Sequence, residues 1–283
     1  CLDKSKAIDR TYIWGGNADL LLAIIKNFED EMNVAFDTEN ANVRVIILVE
    51  DSPYHFSSFL PVLYKQIVMQ TQSVIDESIN EEHRLLKMRG RPKVLVAHNY
   101  EEAMALYEKY KPFLLSVFSD MRYPKNGIVD ALAGYKLLKK IKNEIPDLPV
   151  LILSTEDHNK AKVVDIPAVF INKNSNNLND QIKSFFVSYL GFGAFVFRMP
   201  NGEEIARASD LRAIEKLLSE IPDESIVYHA KNNDFSRWFM ARSEIEFALS
   251  LKPYKISDFP DPQDMKKFLI DSIHARRKGS RQG

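Results

Sequence analysis

The sequence predicts an α/β chain: a doubly wound, five-stranded parallel sheet with a long first helix, followed by a small α+β module. Three observations carry this. Between residues 43 and 190, short β-branched runs alternate with helical patterns. The runs are continuously apolar, as strands covered on both faces are. Acidic, hydroxyl and basic residues stand at the carboxyl ends of several runs, where open α/β sheets place their sites.

Thr11–Trp14 reads as a short strand, Gly15-Gly16-Asn17 as a turn, and the stretch from Asp19 as an amphipathic helix. Its apolar positions Leu21, Leu22, Ile25, Phe28 and Met32 recur at helical spacing and predict the core-facing side. One strand and one helix cannot bury a core, so residues 1–40 read as the end of a preceding unit. Cys1 at the start and the polar run Ala275–Gly283 at the end read as cuts within a longer chain.

The sheet strands are expected at Val43–Val49, Lys93–Ala97, Leu114–Ser119, Val150–Leu153 and Ala168–Ile171, within a domain spanning 41–190. Between the first two, apolar positions at Leu60, Leu63, Ile67, Ile75 and Leu85 predict a helix over Ser57–Met88 with Pro61 in its first turn. At 1.5 Å per residue it is ~48 Å long against ~17 Å for a strand. Its far half therefore needs a partner, and a homodimer through this helix is one candidate. A break near Thr71–Ser73 is the alternative. Lys125–Asp130 reads as an inserted surface loop.

Beyond 190, Gly191 and Gly193 stop the last helix of the sheet domain. Phe195–Met199 and Glu204–Ala208 read as a hairpin, and Ser209 or Asp210 caps a helix running to about Glu220. Ile226–His229 reads as a strand and Asp234–Lys252 as one or two helices. The module spans 191–258, with a C-terminal helix and linker over 259–283. The polar cluster from His229 to Arg242 reads as turn and cap chemistry around a buried Trp238, in preference to a pocket.

Composition excludes several classes. Lys plus Arg number 38 and Asp plus Glu 39, a net charge of −1 and no basic footprint for nucleic acid. Cys1 is the single cysteine, so no internal disulfide forms. No apolar run approaches the ~20 residues that span a bilayer. The six histidines lack zinc spacing, and no Gly-rich nucleotide loop is present. A cytoplasmic protein with no nucleic-acid and no membrane partner is expected.

The strand ends carry the chemistry: Glu50 and Asp51 after the first, Asp120 at the third, Ser154 and Thr155 at the fourth, Lys173 after the fifth. Carboxylates gathered at one edge repel each other unless a cation sits among them. Oxygen-only donors favour Mg²⁺. A lone carboxylate such as Asp120 can attack a phosphoryl group, while a lysine and a hydroxyl hold its other oxygens.

Taken in order, Val45–Pro53, Phe118–Pro124, Leu148–Ser154 and Val169–Lys173 resemble the flavodoxin-like receiver domain of two-component response regulators. The resemblance implies Asp120 as phosphoryl acceptor. It implies Mg²⁺ held by Asp51, Asp120, the main-chain carbonyl of Arg122 and Glu50. Ser154 and Lys173 would bind phosphoryl oxygens, and Phe170 and Thr155 would take the switch positions. The implied phosphodonor is a sensor histidine kinase or a small phosphodonor. Three departures stand out: Thr155 where a small residue is usual, Asn174 where a proline usually follows the lysine, and a lengthened loop ahead of Gly134.

Val49–Pro53, Leu85–Lys93, Gly191–Arg198 and Tyr228–Arg242 further resemble the amino-terminal region of response-regulator-fused phosphoenolpyruvate synthase-like proteins. On that resemblance the chain is regulatory and not itself an enzyme, and its partner is a downstream catalytic region of the same parent chain. Two alternatives are a phosphorylation-independent pseudo-receiver scaffold and a Mg²⁺-dependent phosphatase. The phosphatase reading wants a second aspartate where Arg122 stands.

Overall fold

The computed structural model describes residues 10–76, 90–242 and 244–279. The chain divides into two compact units, Cys1–Met69 with Arg89–Lys183, and Gln70–Met88 with Ser184–Gly283. No described helix is long and apolar enough to cross a membrane.

The first unit is built on a five-stranded parallel sheet. Its strands are β1 (Val45–Val49), β2 (Lys93–Ala97), β3 (Leu114–Asp120), β6 (Val150–Ser154) and β7 (Val169–Asn172), in the order β2-β1-β3-β6-β7. The chain leaves β1 for one neighbour and returns to build on the other. The order thus reverses between β1 and β3, and the crevice at their carboxyl ends is the expected site. Alternate residues face opposite sides, which is why the strands are apolar throughout. Val45, Ile47, Val117 and Ile152 share a core with Leu137, Leu138 and Ile141 of a helix, α4 (Ala133–Glu144). On the other side, Ile46 and Leu48 are buried, as are Phe56, Leu60, Leu63 and Ile67 of α2 (Pro53–Asp76). Further helices are α3 (Tyr100–Tyr110), capped by the Asn99 side chain, α5 (Asn159–Lys162) and α6 (Leu178–Ser188).

α2 begins four residues earlier than expected. Pro53 takes the first helical position and Pro61 lies in the interior. The helix runs unbroken through Thr71–Ser73. The remainder of the predicted long helix, including Leu85, lies outside the described residues.

α1 (Asp19–Ala41) forms where periodicity puts it, but with its faces exchanged. Leu20, Ala23, Asn27, Asp30, Val34 and Thr38 are buried, whereas Leu21, Leu22, Ile25, Phe28 and Met32 are exposed. Polar chemistry explains the inversion. β2 is an edge strand, and Val94 offers a bare N–H and C=O. The Asp30 carboxylate accepts from Val94 N at 2.9 Å and from the Tyr64 hydroxyl at 2.7 Å, and it pairs with Arg91. Asn27 Nδ2 donates to Val94 O at 3.0 Å. Lys93 pairs with Asp37 at 2.7 Å. α1 is thus fastened to the open edge of this sheet. Thr11–Trp14 forms no strand: Ile13 N donates to Ser57 Oγ at 2.8 Å, and the Tyr12 ring lies 5.3 Å from Phe56.

The predicted loop after Asp120 is a two-stranded ribbon, β4 (Tyr123–Lys125) and β5 (Ile128–Asp130). Asn126 and Gly127 both take positive φ, as a tight hairpin turn requires.

The second unit holds the hairpin β8 (Phe195–Arg198) and β9 (Glu204–Ala208), then α7 (Leu211–Leu218), capped by Asp210. The expected strand Ile226–His229 lies instead inside α8 (Asp223–Lys231). A short apolar run does not distinguish the two states, and Asp223 and Glu224 in the first turn suit a helix N-terminus. Then follow α9 (Asp234–Ala241), α10 (Ile245–Leu251) and α11 (Pro262–Gly279). The expected linker from Ala275 is helical as far as Gly279, with Arg276 and Arg277 paired to Glu244 and Glu215. Phe195, Phe197, Trp238, Phe239 and Leu269 share the core. His229 is a structural residue: its Nε2 accepts from Arg198 N at 2.8 Å, and its Nδ1 lies 2.7 Å from Asp234.

Candidate functional site

β1 leads into Glu50 and Asp51, β3 ends in Asp120, and β7 leads into Lys173. The topology brings all four to the crevice. One carboxylate oxygen from each of Glu50, Asp51 and Asp120 lies within 4.8 Å of the others. Glu50 is buried, while Asp51 and Asp120 are partly open to solvent. The Lys173 ammonium sits 2.9 Å from Asp120 Oδ2 and also pairs with Glu50.

The acceptor candidate is held at both oxygens. Asp120 Oδ1 accepts from Met121 N at 2.7 Å and Oδ2 faces Lys173. Its backbone needs a glycine beside it. A Cβ on Gly134 would stand 2.0 Å from the Asp120 carbonyl oxygen, and Gly134 N donates to Met121 O at 3.1 Å.

The electrostatics follow from crowding. Burial pushes Glu50 from an ordinary 4.5 up to about 7, with Asp120 adding to the rise and Lys173 opposing it. Asp51 is raised by burial and then by Asp120. His55, in the first turn of α2, is lowered by burial and then by Lys173, which favours a neutral imidazole. Three carboxylates against one ammonium leave negative charge uncompensated. The donor set is hard oxygen, partly open to water, and it fits Mg²⁺, which takes few protein ligands and keeps its waters.

The remaining predicted residues lie on the same edge. Asp120 stands opposite Leu153 in the β3–β6 register, so Ser154 is one step farther out on the neighbouring strand. Its hydroxyl is turned into its own loop, accepting from Asn159 Nδ2 at 2.9 Å and from Glu156 N at 3.2 Å. Thr155 and Arg122 are exposed. Phe170 pairs with Ile152 and packs, half-buried, against the core. The Lys173–Asn174 peptide is trans.

Sequence reasoning missed Asn159, His55 and the β4–β5 ribbon. The ribbon had a readable signal, the turn pair Asn126-Gly127 between Tyr123-Pro124-Lys125 and Ile128-Val129. Its tip is tied to α3: Asn126 N donates to Glu101 Oε1 at 2.9 Å, and Lys125 Nζ lies 4.2 Å from the Tyr100 ring centre. Asn159 lies in a polar stretch with no such mark.

No family model matches the chain, and no curated protein does. Solved structures do. A response regulator receiver domain protein from Clostridium thermocellum is 17% identical, over 50% of this chain and 90% of its own, at TM-score 0.33. The response regulator TrrA from Thermotoga maritima, in complex with Mg²⁺ and beryllofluoride, is 16% identical over 50% of this chain and 98% of its own, at 0.29. The receiver domain of the histidine kinase CKI1 from Arabidopsis thaliana, complexed with Mg²⁺ and BeF₃⁻, is 16% identical over 54% and 96%, also at 0.29. Over about half its length, the chain is similar to solved response-regulator receiver domains.

Proposed function

We propose that the first unit is a receiver-type signalling unit that accepts a phosphoryl group on Asp120. One observation supports this above the rest. A partly open carboxylate at the topological switch point is held by Lys173 and a backbone N–H, beside two further carboxylates suited to a divalent cation. Glu50, Asp51 and Asp120 would hold Mg²⁺, which supplies charge neutralisation for the incoming phosphoryl oxygens.

In the transfer, an Asp120 carboxylate oxygen forms a bond to phosphorus. The donor's P–O bond breaks, and the leaving group departs with its electron pair: acetate from acetyl phosphate, or the imidazole of a phosphohistidine through a P–N bond. The nucleophile is a carboxylate, whose oxygen supplies the electron pair for the new bond. The chain contributes position and charge. Lys173 donates to the new acyl phosphate. Ser154 reaches it once its hydroxyl leaves Asn159, and that motion is the conformational output of the site. Control of a phosphoenolpyruvate synthase-like catalytic region in a parent chain is the downstream role we infer from the sequence resemblance.

The second reading, a phosphorylation-independent scaffold, has one observation in its favour: Ser154 is already satisfied by Asn159 and Glu156. Beryllofluoride separates the two. Added with Mg²⁺, it should shift the backbone amide resonances of Met121, Thr155 and Asn174 in the wild type and leave those of Asp120→Asn unchanged. An unmoved wild-type spectrum supports the scaffold.

A further inference from the structure

We propose that the outward face of α1 is a self-association surface whose occupant is α1 of a second copy, laid antiparallel about a twofold axis. The face is Leu21, Leu22, Ile25, Phe28, Met32 and Phe36, with Met32 82% and Phe36 68% exposed. Ile13 and Trp14, just ahead of the helix, are exposed as well. Together these residues present on the order of 900 Å², against about 800 Å² per partner in an ordinary stable interface and 300–600 Å² in the largest patch of a typical monomer. The opposite side of the helix is committed to β2 through Asn27 and Asp30, so α1 cannot turn to hide its apolar side.

The spacing fits a helix as the partner. Leu21, Ile25, Phe28, Met32 and Ala35 recur four and three apart, the pattern that seats one helix against another. Leu22 and Phe36 widen the stripe beyond a bare seam. Antiparallel pairing centred near Phe28 sets Leu21 against the second copy's Phe36 and Ile25 against its Met32. Lys26 and Glu29 are paired with each other at 2.7 Å on one rim of the face. Twofold pairing of one patch with itself is also the commonest way a soluble chain closes an assembly.

The test is the mass of the full chain in solution, by light scattering and sedimentation from about 1 to 200 µM, where a mass-action dimer must show itself. The wild type should tend to twice the chain mass. Ile25→Glu and Met32→Glu, each burying an unpaired charge at the centre of the face, should weaken dimerisation by ~100-fold or more. Their circular dichroism and melting should match a wild type diluted to monomer, since both positions face solvent in one copy. Direction is read in a Cys1→Ser background. Leu21→Cys mixed with Phe36→Cys should cross-link on mild oxidation, and Leu21→Cys alone should not. A wild type monomeric throughout overturns the proposal and leaves the face to a different protein or to an α/β unit ahead of residue 1. A dimer indifferent to both glutamates overturns it too.

Discussion

The Lys173 ammonium lies 2.9 Å from Asp120 and also pairs with Glu50, so one cation serves the acceptor candidate and the buried carboxyl behind it. That sharing couples the protonation of the site to whatever else enters it.

The first prediction concerns pH. Glu50 is raised from 4.5 to about 7, chiefly by burial. A raised acid binds its proton more tightly folded than unfolded, so its contribution is complete below pH 4.5 and is lost as pH rises through about 7. Without divalent cations the first unit should therefore lose stability across that window, by about 3 kcal/mol at 1.36 kcal/mol per pKa unit. Glu50→Gln should flatten the profile in urea melts taken from pH 4.5 to 8. Mg²⁺ favours the ionised carboxyl, so its binding should release a proton below pH 7. Calorimetry in buffers of different ionisation enthalpy reads that proton directly. Equal heats in all buffers would contradict the assignment.

Gly134 makes the second prediction. Its absent Cβ is what lets α4 start against the Asp120 carbonyl. Gly134→Ala should cost about 2–4 kcal/mol, in the range of severe overpacking, and should also lower phosphoryl acceptance. Gly127→Ala, at the ribbon tip with open space but φ +74°, should cost only the ~1 kcal/mol of a left-handed backbone. Equal losses for the two would mean that the contact at Asp120 is relieved by a small shift.

Asp30 makes the third. Its carboxylate is fully buried between Arg91, Tyr64 and the Val94 amide. Asp30→Ala leaves a guanidinium and an edge-strand amide without their acceptor, so a loss of about 3–5 kcal/mol is expected. Amide exchange at Val94 should speed up more than at Ile47 in the sheet interior. Uniform acceleration would show that α1 is no local cover for the edge.

The five strands were legible because buried parallel strands are written as unbroken apolar runs. Lys93–Ala97 matches to the residue, and the others differ by one or two. The acidic edge was legible for the same reason: strand ends fix where Glu50, Asp51, Asp120 and Lys173 stand. α1 was legible as a helix but not in its orientation. Periodicity counts apolar residues, and here two polar side chains, Asn27 and Asp30, answer the backbone of an edge strand and decide which side goes in. Ile226–His229 failed for lack of length. Four apolar or aromatic positions carry no period, and the helix start lies outside them at Asp223. The hydroxyl of Ser154 could not be read either, because its partner Asn159 is set by a turn that no residue type announces.

The central claim is that Asp120 accepts a phosphoryl group. Acetyl phosphate and Mg²⁺, incubated with the full chain, test it most directly by intact mass, since the small donor supplies transfer potential and the chain supplies geometry. The wild type should gain the mass of one phosphoryl group and lose it to hydroxylamine, as an acyl phosphate does. Asp120→Asn should gain none, and Lys173→Ala should gain markedly less. A hydroxylamine-stable adduct, or equal labelling of Asp120→Asn, would contradict the account.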